Sequence, residues 1–247
     1  MATMLAYILT DLDLPRSVLS RCLRNVVGKS FNSITVDGDQ STSDTVLVMS
    51  SKRVASKGAT DEAEFEVALG KVCRDLAEDI VRNGEGTLHV VKVAVTGAPS
   101  DIMARDLGRF VVNSNLVKCA IAGNDPNVGR IVGAIGSFLG TVSNDEDLTR
   151  NLAVTLGGID IFKNGAFQLN PEKESLLSDY MLDAQLFPEK LPEDDRNFPI
   201  HSKTVDISIS LGAGAGCCDV IGSDLTNAYV DINKVRFSDT FSINSPP

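Results

Sequence analysis

Met1-Ala2-Thr3-Met4-Leu5-Ala6-Tyr7-Ile8-Leu9-Thr10 is the stretch on which the reading of the chain turns. Taken by itself it is an initiator methionine, two small residues and a short apolar strand. The position of Thr3 adds a second reading. A threonine hydroxyl is a poor nucleophile at neutral pH, but a free α-amine on the same residue titrates near ~8 and lies within reach of that hydroxyl. If the Ala2–Thr3 peptide bond is cut, one residue supplies both nucleophile and base. Thr3 is therefore the candidate nucleophile, and Ala2 and Thr3 form the candidate cleavage junction.

Length and composition narrow the classes. A chain of 247 residues can bury a full core. Its 43% hydrophobic and 23% charged residues, with mean hydropathy near zero, describe an ordinary globule. The net charge of −10, from 33 acids against 23 bases, argues against a nucleic-acid partner. No apolar run approaches the ~20 residues of a membrane span, so no membrane partner is expected. The N-terminus shows no basic region or hydrophobic core of a targeting peptide, and a soluble intracellular protein is expected. If an upstream part exists, an address signal would sit there; the compartment is the cytoplasm for a bacterial source, the mitochondrial matrix or plastid for a eukaryotic one. Cys22, Cys73, Cys119, Cys217 and Cys218 are odd in number and irregularly spaced, and His89 and His201 form no ligand pattern. Neither a metal nor a disulfide is expected.

Along the chain, helical spacing of Val18, Leu19, Cys22, Leu23, Val26 and Val27 follows Pro15 and stops at Gly28. Phe31–Val36 and Thr45–Ser50 read as strands joined by a hairpin turn over Asp37–Ser43, with the Asp and Ser side chains bonded to their own backbone. Asp37, Asp39 and Ser41 imitate a calcium loop, but Thr42 and Val48 stand where it needs Gly and Glu. Ser51–Ala59 reads as a basic loop. Thr60 is a candidate cap for a helix with Phe65, Leu69, Val72, Cys73, Leu76 and Ile80 inward, ending at Asn83-Gly84. Leu88–Val95 reads as a strand in which His89 is a packed or edge residue rather than a catalyst, Pro99-Ser100 as a helix start, and Val117–Ala122 as a strand. The glycines of Asn127–Gly140 lack a phosphate-loop pattern and are ascribed to close helix packing. Asn164-Gly165 signals a two-residue hairpin, Pro171–Ala184 a helix, and Phe187–Pro199 an exposed connection. Val205, Ile207, Ile209 and Leu211 alternate on a strand with one buried face. The Gly212–Gly216 run precedes a strand rather than a helix, against nucleotide binding.

The opening ten residues, together with Ser30-Phe31-Asn32-Ser33-Ile34-Thr35-Val36-Asp37-Gly38-Asp39, Asn83-Gly84-Glu85-Gly86-Thr87, Asn124-Asp125-Pro126-Asn127-Val128-Gly129-Arg130 and Ser223-Asp224-Leu225, resemble the ornithine acetyltransferase (bifunctional glutamate N-acetyltransferase, ArgJ) family of arginine biosynthesis. The resemblance runs from Met1 to about Ser238 and only to the family's C-terminal, β-chain half. It departs at Val128, where the family usually has Trp.

The resemblance implies an α/β (α+β) fold: an N-terminal-nucleophile-like αββα layered core of the DmpA/ArgJ type with a smaller α/β C-terminal domain. The expected division is 1–145 and 146–247. It further implies that Thr3 takes the acetyl group from N2-acetylornithine and passes it to glutamate, with acetyl-CoA as an open second donor and no cofactor. Thr3, Glu85, Asn233 and Ser238 are the implied substrate-binding residues, with the Glu85 charge expected to face an ammonium group of ornithine. Tyr229–Asn233 resembles the family's final strand. Asn233 and Ser238 match the closing motif, although Lys234-Val235-Arg236-Phe237 between them departs from it. The implied partner is an α chain from the same precursor in an α2β2 heterotetramer. That half would carry the Thr-Gly oxyanion donors and a lysine just upstream of the cut, so this chain alone is expected to be inactive. Two alternatives stand beside this reading: an N-terminal-nucleophile aminopeptidase or amidase of the same superfamily, and a non-catalytic partner subunit or fragment.

Overall fold

A computed structural model describes residues 3–142, 147–186 and 203–234. Two sheets organise them. The first pairs β1 (Leu5–Asp13) with β3 (Thr45–Ala55) in parallel, Leu5 opposite Thr45. Residues alternate across a strand, so Ala6 and Ile8 point inward while Leu5, Tyr7 and Leu9 point out. The inward residues share a core with α1 (Arg16–Val27) and α2 (Ala59–Arg82), through Val18, Cys22, Leu69, Cys73 and Ala77. Pro15 occupies the N-cap position of α1, and Gly28 its C-cap. α2 starts after Gly58 with Asp61 and Glu62 in its first turn, the favourable sign for its dipole.

The second sheet has seven strands in the order β2-β9-β4-β8-β5-β6-β7. These are β2 (Ile34–Thr35), β4 (Val90–Ala98), β5 (Ala153–Leu156), β6 (Ile159–Lys163), β7 (Ala166–Phe167), β8 (Val205–Ser210) and β9 (Gly216–Ser223). Against it lie α3 (Asp101–Val112), α4 (Asn115–Ala122), α5 (Val128–Val142), α6 (Asp147–Arg150) and α7 (Pro171–Asp183). Val91, Val93, Val95, Leu107, Ile135, Ile207, Ile209, Leu177 and Met181 belong to one continuous core. A last helix, α8 (Asn227–Asn233), follows β9 and buries none of its residues.

Several expectations hold. Asn164 (φ 53°) and Gly165 (φ 74°) form the tight turn between β6 and β7. Val205, Ile207 and Ile209 are buried and alternate with polar residues along β8. Ser100 caps α3 by accepting the Met103 N–H.

Others are corrected. Phe31–Ser33 is a 3₁₀ turn, and only Ile34–Thr35 pairs as strand. The segment 37–44 is no hairpin: β2 runs beside β9 in one sheet and β3 beside β1 in the other, so the segment bridges sheets. Ser51–Ala55 continues β3, because β1 goes on pairing beyond an irregularity near Thr10. Gly58, not Thr60, stands at the head of α2, and its inner face is rotated from the expected stripe, with Ala77 and Val81 buried and Val72 and Leu76 exposed. Val117–Ala122 lies in a helix, because the buried Val117, Ala120 and Ile121 recur at i, i+3 and i+4. Tyr229–Asn233 is helical too, capped by Thr226. A Cβ on Gly133, Gly136 or Gly140 would meet nothing within 4 Å, so close packing within this chain does not explain those glycines. The expected division at 145/146 is crossed by both sheet and core, since β4 pairs with β8 and β9. The acidic loop at 143–146 and the connection at 187–199 lie outside the described residues.

Gly222 on β9 sits where β2, β4 and α3 converge. A Cβ there would lie 2.1 Å from Val112 Cγ1 and 2.8 Å from the Thr35 carbonyl oxygen. Gly222→Ala is expected to cost roughly 2–3 kcal/mol. The measurement is urea unfolding, where the midpoint falls at unchanged slope; an unaltered midpoint contradicts this account of the junction.

Candidate active site

Thr3 stands exposed just ahead of β1, and its Oγ1 lies 3.0 Å from Ser41 Oγ. The bridging segment holds this arrangement. Asp44 Oδ1 accepts the Met4 N–H at 2.9 Å, while Asp44 Oδ2 accepts the Ser41 N–H at 3.1 Å. The Ser41 hydroxyl also accepts the Ser43 N–H, and Asp37 Oδ1 accepts the Asp39 N–H. The Asp and Ser side chains of this acidic stretch thus bond local backbone as expected, though in a crossover rather than a hairpin.

The root of the segment is fixed by a buried ammonium. Lys118 Nζ donates to the Val36 carbonyl at 2.7 Å and to the Ser223 carbonyl at 2.5 Å. Ser223 Oγ donates to the same Val36 oxygen at 2.8 Å. Lys118 is only 3% exposed. Burial pushes its pKa down to about 8, with Asp224 and Asp37 opposing the shift. Beside it, Asp224 accepts the Leu88 N–H and pairs with His89 Nδ1 at 2.8 Å, both side chains fully buried. His89 Nε2 contacts the Met181 carbonyl at 3.1 Å, so this histidine is packed, as the sequence suggested.

The other wall is α8. Its cap, Thr226, donates to the Gly86 carbonyl at 2.6 Å, and Tyr229 OH donates to Asp37 Oδ2 at 3.1 Å. Burial raises the Tyr229 pKa, and the neighbouring Asp37 raises it further. Asn233 Nδ2 donates to Glu85 Oε2 at 2.8 Å. Two of the sequence-chosen residues, separated by 148 positions, are therefore in direct contact. Thr3 is joined to them only along the chain: Ser41 and Asp44 engage it at one end of the segment, and Asp37 at the other end accepts from Tyr229 on the helix that carries Asn233. Ala2 and Ser238 lie outside the described residues. Sequence reasoning assigned no role to Ser41, Asp44, Lys118 or Tyr229. Asp44 carried a faint signal as an acid at the mouth of a strand, whereas Lys118 in an apolar run carried none.

The paired layers of sheet and helix make this an α/β protein of the N-terminal-nucleophile-like fold. The chain belongs to the ArgJ family, whose match spans residues 1–235. The arginine biosynthesis bifunctional protein ArgJ of Lactococcus lactis is 37% identical over 242 residues, covering 96% of this chain and 54% of that protein. Its counterpart from Ruegeria pomeroyi is 39% identical over 233 residues, covering 94% and 51%. The crystal structure of arginine biosynthesis bifunctional protein ArgJ from Bacillus halodurans superposes with a TM-score of 0.77 at 33% identity, covering 94% of this chain and 99% of that one. The chain spans about half the length of the curated relatives it matches.

Two predictions test the geometry. Gly86 has φ +66°, and a Cβ there would stand 2.3 Å from the Tyr229 nitrogen. Gly86→Ala is expected to displace α8 and break the Asn233–Glu85 contact, read as faster amide exchange across Asn227–Asn233; unchanged exchange contradicts it. For Lys118, the folded pKa near 8 lies below the ordinary 10.5. Between those values the unfolded chain binds more protons, so this group adds stability as pH rises through the window. The unfolding free energy of the native chain relative to Lys118→Met is expected to rise on the order of 3 kcal/mol from pH 7.5 to 10.5. A flat difference in urea titrations refutes the shift.

Proposed function

We propose that the chain is the nucleophile-bearing β half of a glutamate N-acetyltransferase (ornithine acetyltransferase) of arginine biosynthesis. The observation that carries the reading is Thr3 at the head of β1, its hydroxyl 3.0 Å from Ser41 Oγ, on a segment whose other end, Asp37, accepts from α8. Family membership supports it, and the relatives are named as bifunctional proteins of arginine biosynthesis. In this reading acetyl-CoA is a second donor.

Maturation begins when the Thr3 hydroxyl attacks the Ala2 carbonyl and the C–N bond gives way to an ester. Water then hydrolyses the ester and leaves Thr3 with a free amine. In turnover that amine takes the hydroxyl proton while the oxygen attacks the acetyl carbonyl of N2-acetylornithine. Collapse expels ornithine, whose nitrogen receives the proton, and leaves acetyl-Thr3. The amine of glutamate attacks this ester and departs as N-acetylglutamate, returning the hydroxyl. The Glu85 carboxylate, half-buried between two glycines, faces the substrate ammonium, and Asn233 and Ser238 complete the substrate site. No metal or organic cofactor takes part.

The oxyanion donors, each worth ~3 kcal/mol of barrier, come in this reading from an α chain of the same precursor. The face that receives it is β1–β3, where Leu5, Tyr7, Leu9, Leu47 and Met49 lie exposed. A two-stranded sheet showing a contiguous apolar face is what a missing layer leaves behind. The assembly is then α2β2, soluble and intracellular. Among the described residues no helix is long and apolar enough to cross a membrane. The acidic balance of the chain argues against nucleic acid.

The test expresses the full precursor. A β chain starting at Thr3, with an acetyl adduct on Thr3 after N2-acetylornithine, is the expected mass-spectrometric result. Thr3→Ala is expected to abolish cutting and adduct and to lower turnover by roughly 10³-fold or more. Release of amino acids from peptide amides without acetyl transfer would favour the peptidase class instead. Surviving turnover in Thr3→Ala rules out the nucleophile.

A further inference from the structure

We propose that Ser41 is a second catalytic hydroxyl of the Thr3 site and that Asp44 is the residue that positions it; both roles rest on Thr3 being the nucleophile. Ser41 Oγ is the side-chain atom bonded to the candidate nucleophile, at 3.0 Å. A serine oxygen offers one hydrogen and two lone pairs. One lone pair accepts the Ser43 N–H, which leaves the O–H free to turn toward Thr3 Oγ1.

Self-structuring of an acidic loop does not account for this arrangement. Asp44 to Ser41 is a local contact, but Asp44 to Met4 spans 40 positions and Thr3 to Ser41 spans 38. One carboxylate thereby fixes the backbone of Ser41 with one oxygen and that of Met4, the residue after Thr3, with the other. The Thr45 N–H donates to the Met4 carbonyl at 2.9 Å, so the same point is tied into the first pairs of β1 with β3. The backbone on both sides of the hydroxyl contact is thus tied to one carboxylate, which sets the two side chains beside each other, as attack on a carbonyl requires.

In the acylation step the Thr3 Oγ–H proton passes to the Thr3 amine, and negative charge grows on Oγ1 before the O–C bond is complete. The Ser41 O–H donates to that charge. The carbonyl π pair moves to the oxyanion, and collapse breaks the C–N bond and returns the amine's proton to the leaving nitrogen. Ser41 gains and loses no proton. It supplies one hydrogen bond that is stronger in the transition state than in the resting enzyme.

The experiment uses the full precursor, comparing the unaltered protein with Ser41→Ala, Ser41→Thr and Asp44→Asn. Acetyl-Thr3 formation is followed by quenched-flow mass spectrometry with N2-acetylornithine, alongside steady-state kinetics and melting midpoints. Ser41→Ala is expected to slow acylation roughly 10–100-fold, with KM within about twofold and the melting midpoint unchanged. Ser41→Thr, which keeps the hydroxyl, is expected to recover most of the rate. An amide at position 44 has a single acceptor oxygen for two N–H groups, so Asp44→Asn is expected to lower kcat about tenfold with the Thr3 junction still cut. Acylation of Ser41→Ala at the unaltered rate overturns the role of Ser41. Equal defects in Ser41→Ala and Ser41→Thr overturn it too, since they point to packing. If the unaltered precursor forms no acetyl adduct, the functional reading itself fails and takes this assignment with it.

Discussion

The carbonyl of Val36 is the point on which the site depends. It accepts from Lys118 and from Ser223, and it marks the place where the chain leaves the seven-stranded sheet for the two-stranded one. Without that grip the bridging segment would have one firm end, at Thr45 on β3, and Ser41 and Asp44 would have no defined relation to Asp37. An ammonium in this position is costly because burial removes its water, and that cost shows in its depressed pKa. Two carbonyl oxygens and two nearby carboxylates, Asp37 and Asp224, keep it tolerable. A neutral side chain would avoid the desolvation but leave the carbonyls bare.

The parts legible in the sequence were those governed by strong local rules. The Asn164-Gly165 turn, the capped start of α3 and the alternating β8 each follow from a few adjacent residues. The failures share a cause as well. Val117–Ala122 is too short for periodicity to separate helix from strand. The segment 37–44 carries every mark of a hairpin turn, but the strands on either side find partners far away in sequence. Turn chemistry shapes the turn; it does not choose which sheet receives each strand.

The candidate site divides in the same way. Thr3, Glu85 and Asn233 came from a family resemblance, and the contact between Glu85 and Asn233 was not visible to any pattern, because it closes across 148 positions. In the sequence Ser41 reads only as a turn former, and Asp44 carries no assignment. Their link to Thr3 and Met4 arises because β3 lies parallel to β1 and starts level with it. Parallel pairing of these two strands puts the start of one beside the start of the other, so a loop feeding β3 necessarily arrives at the residue preceding β1.

That topology also explains why α8 can be tied so lightly. The helix has no buried residue, and polar contacts hold it at Gly86, Asp37 and Glu85. Two of the contacts reach one loop, at Glu85 and Gly86, and the third reaches Asp37 at the start of the bridging segment. The Glu85 charge is met by an amide N–H of Asn233, a neutral donor. Tyr229 does the same for Asp37 from the middle of the helix. A helix anchored through two carboxylates rather than by buried apolar area depends on charge and hydrogen bonding for its position, whereas one seated in an apolar groove would not.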